Sequence, residues 1–347
     1  MKQYGVLIVD DSAFMRRAIS LIFDKDPDFF IVGIARNGIE ALEKIHRFRP
    51  DVVTMDIEMP EMDGLSALHE IMKSDPVPVV MLSTHTSEGT EASLRALELG
   101  AVDFFLKSDL MKDPMDQPVL TDFLARVKAA ANAKNIHAAG SGIAKEEPFP
   151  VPYHDSGSKT DLLVIGCSTG GPSALQSILP RFSSDFPAGI VVVQHMPPGF
   201  TKPLADRFDT ICSLQVKEAE DGDMITPGVI HICPAGYHTI FQKAGGRVIL
   251  RVLSSESYNA LYKPSVDVTL QSAAVIYGNR LLAVVLTGMG VDGLIGCKEV
   301  KLNGGRVLVE AEQSCIVYGM PKAVYEAGLA DRQALLGHMY QQIISFV

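Results

Sequence analysis

Two groups of residues in this sequence have side chains suited to chemistry, provided folding gathers them. The first is Asp10 and Asp11, Asp56, Ser83 with Thr84, and Lys107. Three carboxylates on one spot repel one another unless a cation lies among them, and hard oxygen donors suit Mg2+. Asp56 could then attack a phosphoryl donor and carry an acyl phosphate. Mg2+ and the Lys107 ammonium would offset the charge on the phosphoryl oxygens. The Ser83 hydroxyl could bond the new phosphate and so move its loop. Any one of these acids could equally be a solvated loop residue; the chemical reading needs all of them together.

The second group is Ser168, His195 and Asp292. Ser168 lies in Cys167-Ser168-Thr169-Gly170-Gly171-Pro172, where Pro172 suits the first turn of a helix. A residue between a strand end and a helix N-terminus meets free N–H groups that favour an oxyanion. Serine needs a base to become a nucleophile. His195 can take its proton, and Asp292 can orient the imidazole. The chain order Ser, His, Asp is not that of the α/β-hydrolases, and no GxSxG elbow is present. On these residues alone, alternatives stay open. Ser168 could be only a helix cap, His195 a structural histidine, and Asp292 the first-turn acid of a helix over 292–302. Cys167 could be the nucleophile in place of Ser168. The glycine-rich turn could cradle a nucleotide phosphate, although it lacks GxGxxG spacing and a P-loop lysine.

The elements that must position these groups are short apolar strands alternating with helices. GVLIV (5–9) stops at Asp10, Val52–Met55 stops at Asp56, VPVVML (77–82) stops at Ser83, and 102–106 stops at Lys107. With a further run over 30–34, this predicts five strand-helix units and a parallel sheet. Ligands of such sheets sit beyond the carboxyl ends of the strands. The alternation restarts at Asp161, with strands expected at LLVIG (162–166), GIVVVQ (189–194), 229–232, 248–252, LLAVVLT (281–287) and 306–310. Helices are expected at 172–179, 200–208, 265–276, 292–302 and 321–327, with a hairpin-like insertion around 229–252 and a last helix over 332–345. The fold class is therefore α/β, two doubly wound parallel-sheet domains, a flavodoxin-like one over 1–130 and a Rossmann-like one over 161–347. Between them, 131–160 is rich in Ala, Gly, Ser, Pro and charge. It reads as a flexible linker spanning roughly 30 Å.

The 347 residues suit two domains. A net charge of -10 speaks against nucleic acid held by broad phosphate neutralisation. The five cysteines are scattered without a CxxC pair, so neither a disulfide framework nor zinc is expected. No apolar run is long enough to span a membrane, and no signal peptide is read at Met1. The expectation is a cytoplasmic, monomeric protein that is not membrane-inserted. A non-catalytic phosphorylation-dependent adaptor is a rival reading. A DNA-binding regulator is another, but it would need a basic helix-turn-helix second half.

The stretches LIVDDSAFMRR, DVVTMDIEMPEMDG, VVMLSTHT and ALELGAVDFFLK resemble the receiver domain of bacterial two-component response regulators. The resemblance implies that Asp56 is the phosphoacceptor and a histidine kinase its donor. It also implies that Asp11 and Asp56, helped by Asp10 and the Glu58 backbone carbonyl, bind Mg2+. Ser108 stands where receivers carry a cis proline. A non-proline cis bond costs ~3 kcal/mol, so a trans or rearranged loop is expected after Lys107.

IGCSTGGPSAL, VVVQHMPPGFT, AEDGDMITPGVIHICPAGYH, KPSVDVTLQSAA, LTGMGVDG and SCIVYGMPKAV resemble the catalytic domain of the chemotaxis protein-glutamate methylesterases, the CheB family. This implies Ser168 as nucleophile, His195 as base and Asp292 as its orienting partner. Thr169 and Met289 would shape the oxyanion site, with no cofactor in that domain. The implied substrates are γ-glutamyl methyl esters on the cytoplasmic helices of chemoreceptors, with deamidation of receptor glutamines as a second activity. The unphosphorylated receiver is expected to cover the esterase crevice. Cys167 replaces the usual Ala and Lys263 the usual Arg.

Overall fold

In the computed structural model, residues 3–84, 86–111, 117–133, 159–254 and 256–347 are described. They fall into two units that divide between Gly142 and Ile143. Most of the expected linker, 134–158, lies outside the described residues.

The first unit is a five-stranded parallel sheet with strand order β2-β1-β3-β4-β5. Its strands are β1 (Tyr4–Val9), β2 (Phe29–Ala35), β3 (Val52–Asp56), β4 (Val79–Ser83) and β5 (Asp103–Leu106). Every residue of β1, β3, β4 and β5 is buried, which is why they read as unbroken apolar runs. The helices are α1 (Ala13–Phe23), α2 (Gly38–Phe48), α3 (Gly64–Ser74), α4 (Ser87–Glu98), a single turn α5 (Lys107–Leu110) and α6 (Gln117–Ala131). Ser12, Asn37, Asp63 and Thr86 cap α1 to α4 through their side chains. The chain leaves β1 toward β2 on one side and returns to β3 on the other. The ends of β1 and β3 therefore flank the switch point where doubly wound sheets bind ligands. Among the described residues the one cis peptide is Lys263–Pro264, so the Lys107–Ser108 bond is trans.

The second unit has a seven-stranded parallel sheet and a separate two-stranded hairpin. Its sheet strands are β6 (Leu162–Cys167), β7 (Gly189–Gln194), β8 (Gln215–Glu218), β9 (Val229–Ile232), β12 (Leu281–Val285), β13 (Arg306–Glu310) and β14 (Arg332–Ala334). The order is β14-β13-β12-β6-β7-β9-β8, so β12, β6 and β7 are neighbours and β6 is central. The helices are α7 (Gly171–Ile178), α8 (Thr201–Ile211), α9 (Val266–Tyr277), α10 (Leu294–Leu302), α11 (Met320–Glu326) and α12 (Leu336–Ile344).

Two expectations are corrected here, and an edge strand that the sequence does not suggest is present. Strand 229–232 belongs to the main sheet, and the hairpin is β10 (His238–Ala244) with β11 (Arg247–Leu253). Its turn is Gly245-Gly246, both at positive φ, the conformation a two-residue hairpin loop requires. Strand β8 is an edge strand of four residues, three of them polar, too short and polar to stand out. The expected final helix over 332–345 is divided: β14 takes Arg332–Ala334 and α12 begins at Leu336. The parallel ladder to Leu308–Glu310 overrides local helical pattern there.

Phe123 on α6 is fully buried in the first unit and packs its ring on Phe23 and Phe105, with centroids 5.7 and 5.1 Å away. Phe123→Ala should lower the stability of this unit by about 3–5 kcal/mol. A urea titration that finds a loss below about 1 kcal/mol would show that α6 does not close this core.

Candidate active site

In the first unit, the strand ends bring the acids together. One oxygen from each of Asp10, Asp11 and Asp56 lies within 4.8 Å of the others. Asp10 and Asp56 are buried, and Asp11 is exposed. Lys107 Nζ bridges Asp56 Oδ2 at 2.6 Å and Asp10 Oδ2 at 2.9 Å. Burial pushes the Asp56 carboxyl up to about 6 against the opposing pull of Lys107. Burial works against the Lys107 charge, yet its bonds to Asp56 and Asp10 raise its pKa. A set of three hard oxygen donors with a single ammonium fits a divalent cation. Glu58 offers its N–H to Asp56 Oδ1 at 3.4 Å, and its side chain is exposed. The Ser83 hydroxyl points away from the acids: it donates to Gly89 O at 3.0 Å and accepts from Ser93 Oγ at 2.8 Å.

In the second unit, β6 and β7 run in register with Cys167 opposite Gln194. The next residues are Ser168 and His195, so they emerge side by side about 4.8 Å apart at backbone level. His195 N donates to Cys167 O at 3.1 Å, and Ser168 N to Thr287 O at 3.1 Å. The loop after β12 thus presses on the Ser168 turn. A Cβ added at Gly288 would meet Ser168 Cβ at 2.8 Å, which places Met289 beside the same turn. Thr169 is buried, and its carbonyl accepts from Thr287 Oγ1 at 3.0 Å.

His195 Nε2 is hydrogen-bonded to Asp292 Oδ2 at 2.8 Å, both groups being buried. His195 Nδ1 is buried and makes no hydrogen bond among the described residues, so the Ser168 hydroxyl does not close the relay here. Catalytic bonds of this kind often tighten only when substrate binds. Asp292 also accepts from Ser265 Oγ (2.9 Å), Val266 N (2.7 Å) and Asp267 N (3.0 Å). It therefore sits at the N-terminus of α9, where amides and the helix dipole favour a carboxylate. Burial would raise its pKa, but the bond to His195 and these amides hold it below the usual range.

The local alternatives fall to specific contacts. Gly170, in the left-handed region at φ 78, is the N-cap of α7, so Ser168 is not. Gly293 caps α10, so Asp292 does not start that helix. Cys167 is fully buried, its thiol pushed up by burial and its Sγ bonded to Gln194 Oε1 at 3.0 Å.

Several residues that support the site carry no sequence signal. Gln194 is buried, and its Nε2 donates to the carbonyls of Ser168 (3.1 Å) and His195 (2.9 Å), tying both turns together. Only glycine fits at Gly171, where a Cβ would come within 2.0 Å of Gln194 Oε1. Tyr262 lies flat on the His195 ring, with centroids 4.2 Å apart and planes at 10°. Glu310, buried at the end of β13, accepts from Thr287 N at 2.8 Å and Ser314 Oγ at 3.0 Å. Burial pushes its carboxyl up to about 7.

Comparison with known proteins matches this arrangement to one family. The model described as CheB methylesterase matches residues 163–343, and that of the response regulator receiver domain matches residues 6–113. A protein named protein-glutamate methylesterase/protein-glutamine glutaminase 1 from Oleidesulfovibrio alaskensis is 45% identical, with 99% of each chain covered. One named protein-glutamate methylesterase/protein-glutamine glutaminase from Thermotoga maritima is 44% identical, covering 94% of this chain and 93% of its own. The crystal structure of the Thermotoga maritima CheB methylesterase catalytic domain aligns with a TM-score of 0.53 at 46% identity, over 55% of this chain and 100% of that one. With a receiver unit ahead of a seven-stranded unit that carries Ser168, His195 and Asp292 on adjoining strand ends, this chain belongs to the CheB methylesterase family.

Proposed function

We propose that this protein hydrolyses γ-glutamyl methyl esters on chemoreceptors, deamidates receptor glutamines at the same site, and is switched on by phosphorylation of Asp56. The observation that carries the reading is the buried His195–Asp292 pair at 2.8 Å beside Ser168. The names of its relatives, methylesterase and glutaminase together, support the two reactions.

Ser168 Oγ attacks the ester carbonyl, and its proton passes to His195 Nδ1, the nitrogen that Asp292 leaves free. Asp292 stabilises the imidazolium through Nε2. The tetrahedral oxyanion is met by the N–H groups of Thr169 and Met289, each worth about 3 kcal/mol of barrier. The C–O bond breaks as His195 returns the proton to departing methanol, leaving an acyl-Ser168. Water, deprotonated by His195, attacks that acyl group and frees the glutamate and Ser168. With a glutamine substrate the same sequence releases ammonia. Tyr262 covers one face of the imidazole and keeps water off it.

In the receiver unit, Asp56 takes the phosphoryl group from a histidine kinase. Asp10, Asp11 and Asp56, with the Glu58 carbonyl, would hold Mg2+, which when bound offsets charge on the phosphoryl oxygens. Lys107 supplies a second positive charge at Asp56 Oδ2. The Ser83 hydroxyl turns to the phosphate and gives up Gly89 O in the first turn of α4. The unphosphorylated receiver represses the esterase unit. A substrate on the cytoplasmic helices of chemoreceptors would put the protein in the cytoplasm. Among the described residues no helix is long and apolar enough to cross a membrane.

Ser168→Ala should lower methanol release from methylated receptor by at least about 10³-fold; near-wild-type turnover would remove the nucleophile assignment. In Asp56→Asn, a phosphodonor such as acetyl phosphate should no longer raise esterase activity, and an undiminished response would place control elsewhere. Asp292→Asn should cost about 2–4 kcal/mol of stability at neutral pH. Because the folded-state pKa is depressed, that contribution is full above the unfolded value near 3.9 and is lost as pH falls through the folded value. Wild-type and Asp292→Asn melting curves should therefore converge below about pH 4. A difference that stays constant into acid would mean the carboxylate charge is not what holds α9.

A further inference from the structure

Helices α9 and α10 start side by side, because Gly296 lets their backbones close in: a Cβ there would lie 3.1 Å from Asp267 Cα. Each helix is capped by an acid from the other. Asp292, ahead of α10, accepts from Val266 N and Asp267 N of α9. Asp267, in the first turn of α9, accepts on Oδ1 from Gly293 N at 2.9 Å and Gly296 N at 2.6 Å. The Asp292 charge also acts on the Asp267 carboxyl and raises its pKa.

We propose that Asp267 is a positioning residue for the ester hydrolysis: it latches the Asp292 loop against His195 and, through its own charge, sets how tightly the imidazole holds a proton. This rests on the reading of Ser168, His195 and Asp292 as a relay. Asp292 is fully engaged by its four donors, so the carboxylate moves only if the 286–293 loop moves, and Asp267 grips that loop at Gly293. Burial pushes the Asp267 carboxyl up to about 6, with the Gly296 amide opposing and the Asp292 charge adding. The other titratable groups near the pair are Cys297 on α10, pushed up by burial, and His238 on β10, pushed down by burial, with Lys263 beyond it. Both shifts favour the neutral form of these two groups. At neutral pH Asp267 is a second negative charge behind Asp292, and it strengthens His195 as a base. In acid it takes a proton, and that second charge is lost.

The test compares wild type, Asp267→Asn and Ser168→Ala as full-length proteins, by kcat/KM for methanol release from pH 5 to 9. Asp267→Asn keeps Oδ1 as an acceptor for both glycine amides and removes the charge, replacing the second carboxylate oxygen with an amide donor. The acid limb should move down by about half to one pH unit and the plateau should fall about 2–3-fold. A merely structural cap predicts a profile that superimposes on wild type, and that result overturns the proposal while leaving the relay intact. Activity retained in Ser168→Ala removes the relay and the proposal together. A second measurement needs no substitution at Asp267: ¹³C titration of the aspartate carboxyls in the full chain should find Asp267 ionising near 6. A carboxyl that stays protonated through neutral pH overturns the proposal even if Asp267→Asn fails to fold, because no second charge then lies behind Asp292.

Discussion

The Asp292 carboxylate accepts one imidazole N–H, one hydroxyl and two helix amides, and the second unit is arranged around that meeting point. A buried carboxylate with only His195 for a cationic partner would be costly. The N-terminus of α9 removes much of that cost, because its amides point at the acid and are otherwise unpartnered. The acid can then remain ionised while the imidazole is held in one orientation, Nε2 inward and Nδ1 outward. The fold therefore supplies a base of defined geometry before any substrate arrives.

The same economy governs the other buried acids. Asp56 is offset in part by Lys107, which also holds Asp10, so at the β1–β3 switch point three acids face one ammonium and keep net negative charge for a cation. Glu310 is met instead by a backbone amide and a hydroxyl. It anchors Thr287, whose carbonyl holds Ser168 N and whose hydroxyl holds Thr169 O. Both units thus place chemistry at strand ends where the winding direction reverses. There the loops are free to present side chains, while the buried strands fix their spacing.

What the sequence discloses follows from the range of the interactions. Strands β1, β3, β6, β7 and β12 are continuous apolar runs that end in reactive residues, so Asp10, Asp56, Ser168 and His195 could be placed at strand ends by reading along the chain. The hairpin is hard to locate because HTIFQKA alternates weakly, leaving the Gly245-Gly246 turn as its main local signal. Strands β8 and β14 exist through ladder pairing with β9 and β13, not through composition. Asp292 was placed correctly after β12, yet the helix it serves, α9, starts 26 residues earlier in the chain, at Val266. Gln194, Tyr262, Asp267 and Glu310 give no local signal because their partners lie on other elements. Only Gly171, squeezed against Gln194, hinted at a close approach.

The orientation of the His195 ring is the claim most open to direct measurement. ¹⁵N NMR of the full-length protein, read above the imidazole titration, reports which ring nitrogen carries the proton. The account predicts the proton on Nε2, shared with Asp292, and a bare Nδ1 ready to accept from Ser168. A proton on Nδ1 with a bare Nε2 would contradict it, since Nε2 could not then donate to the carboxylate.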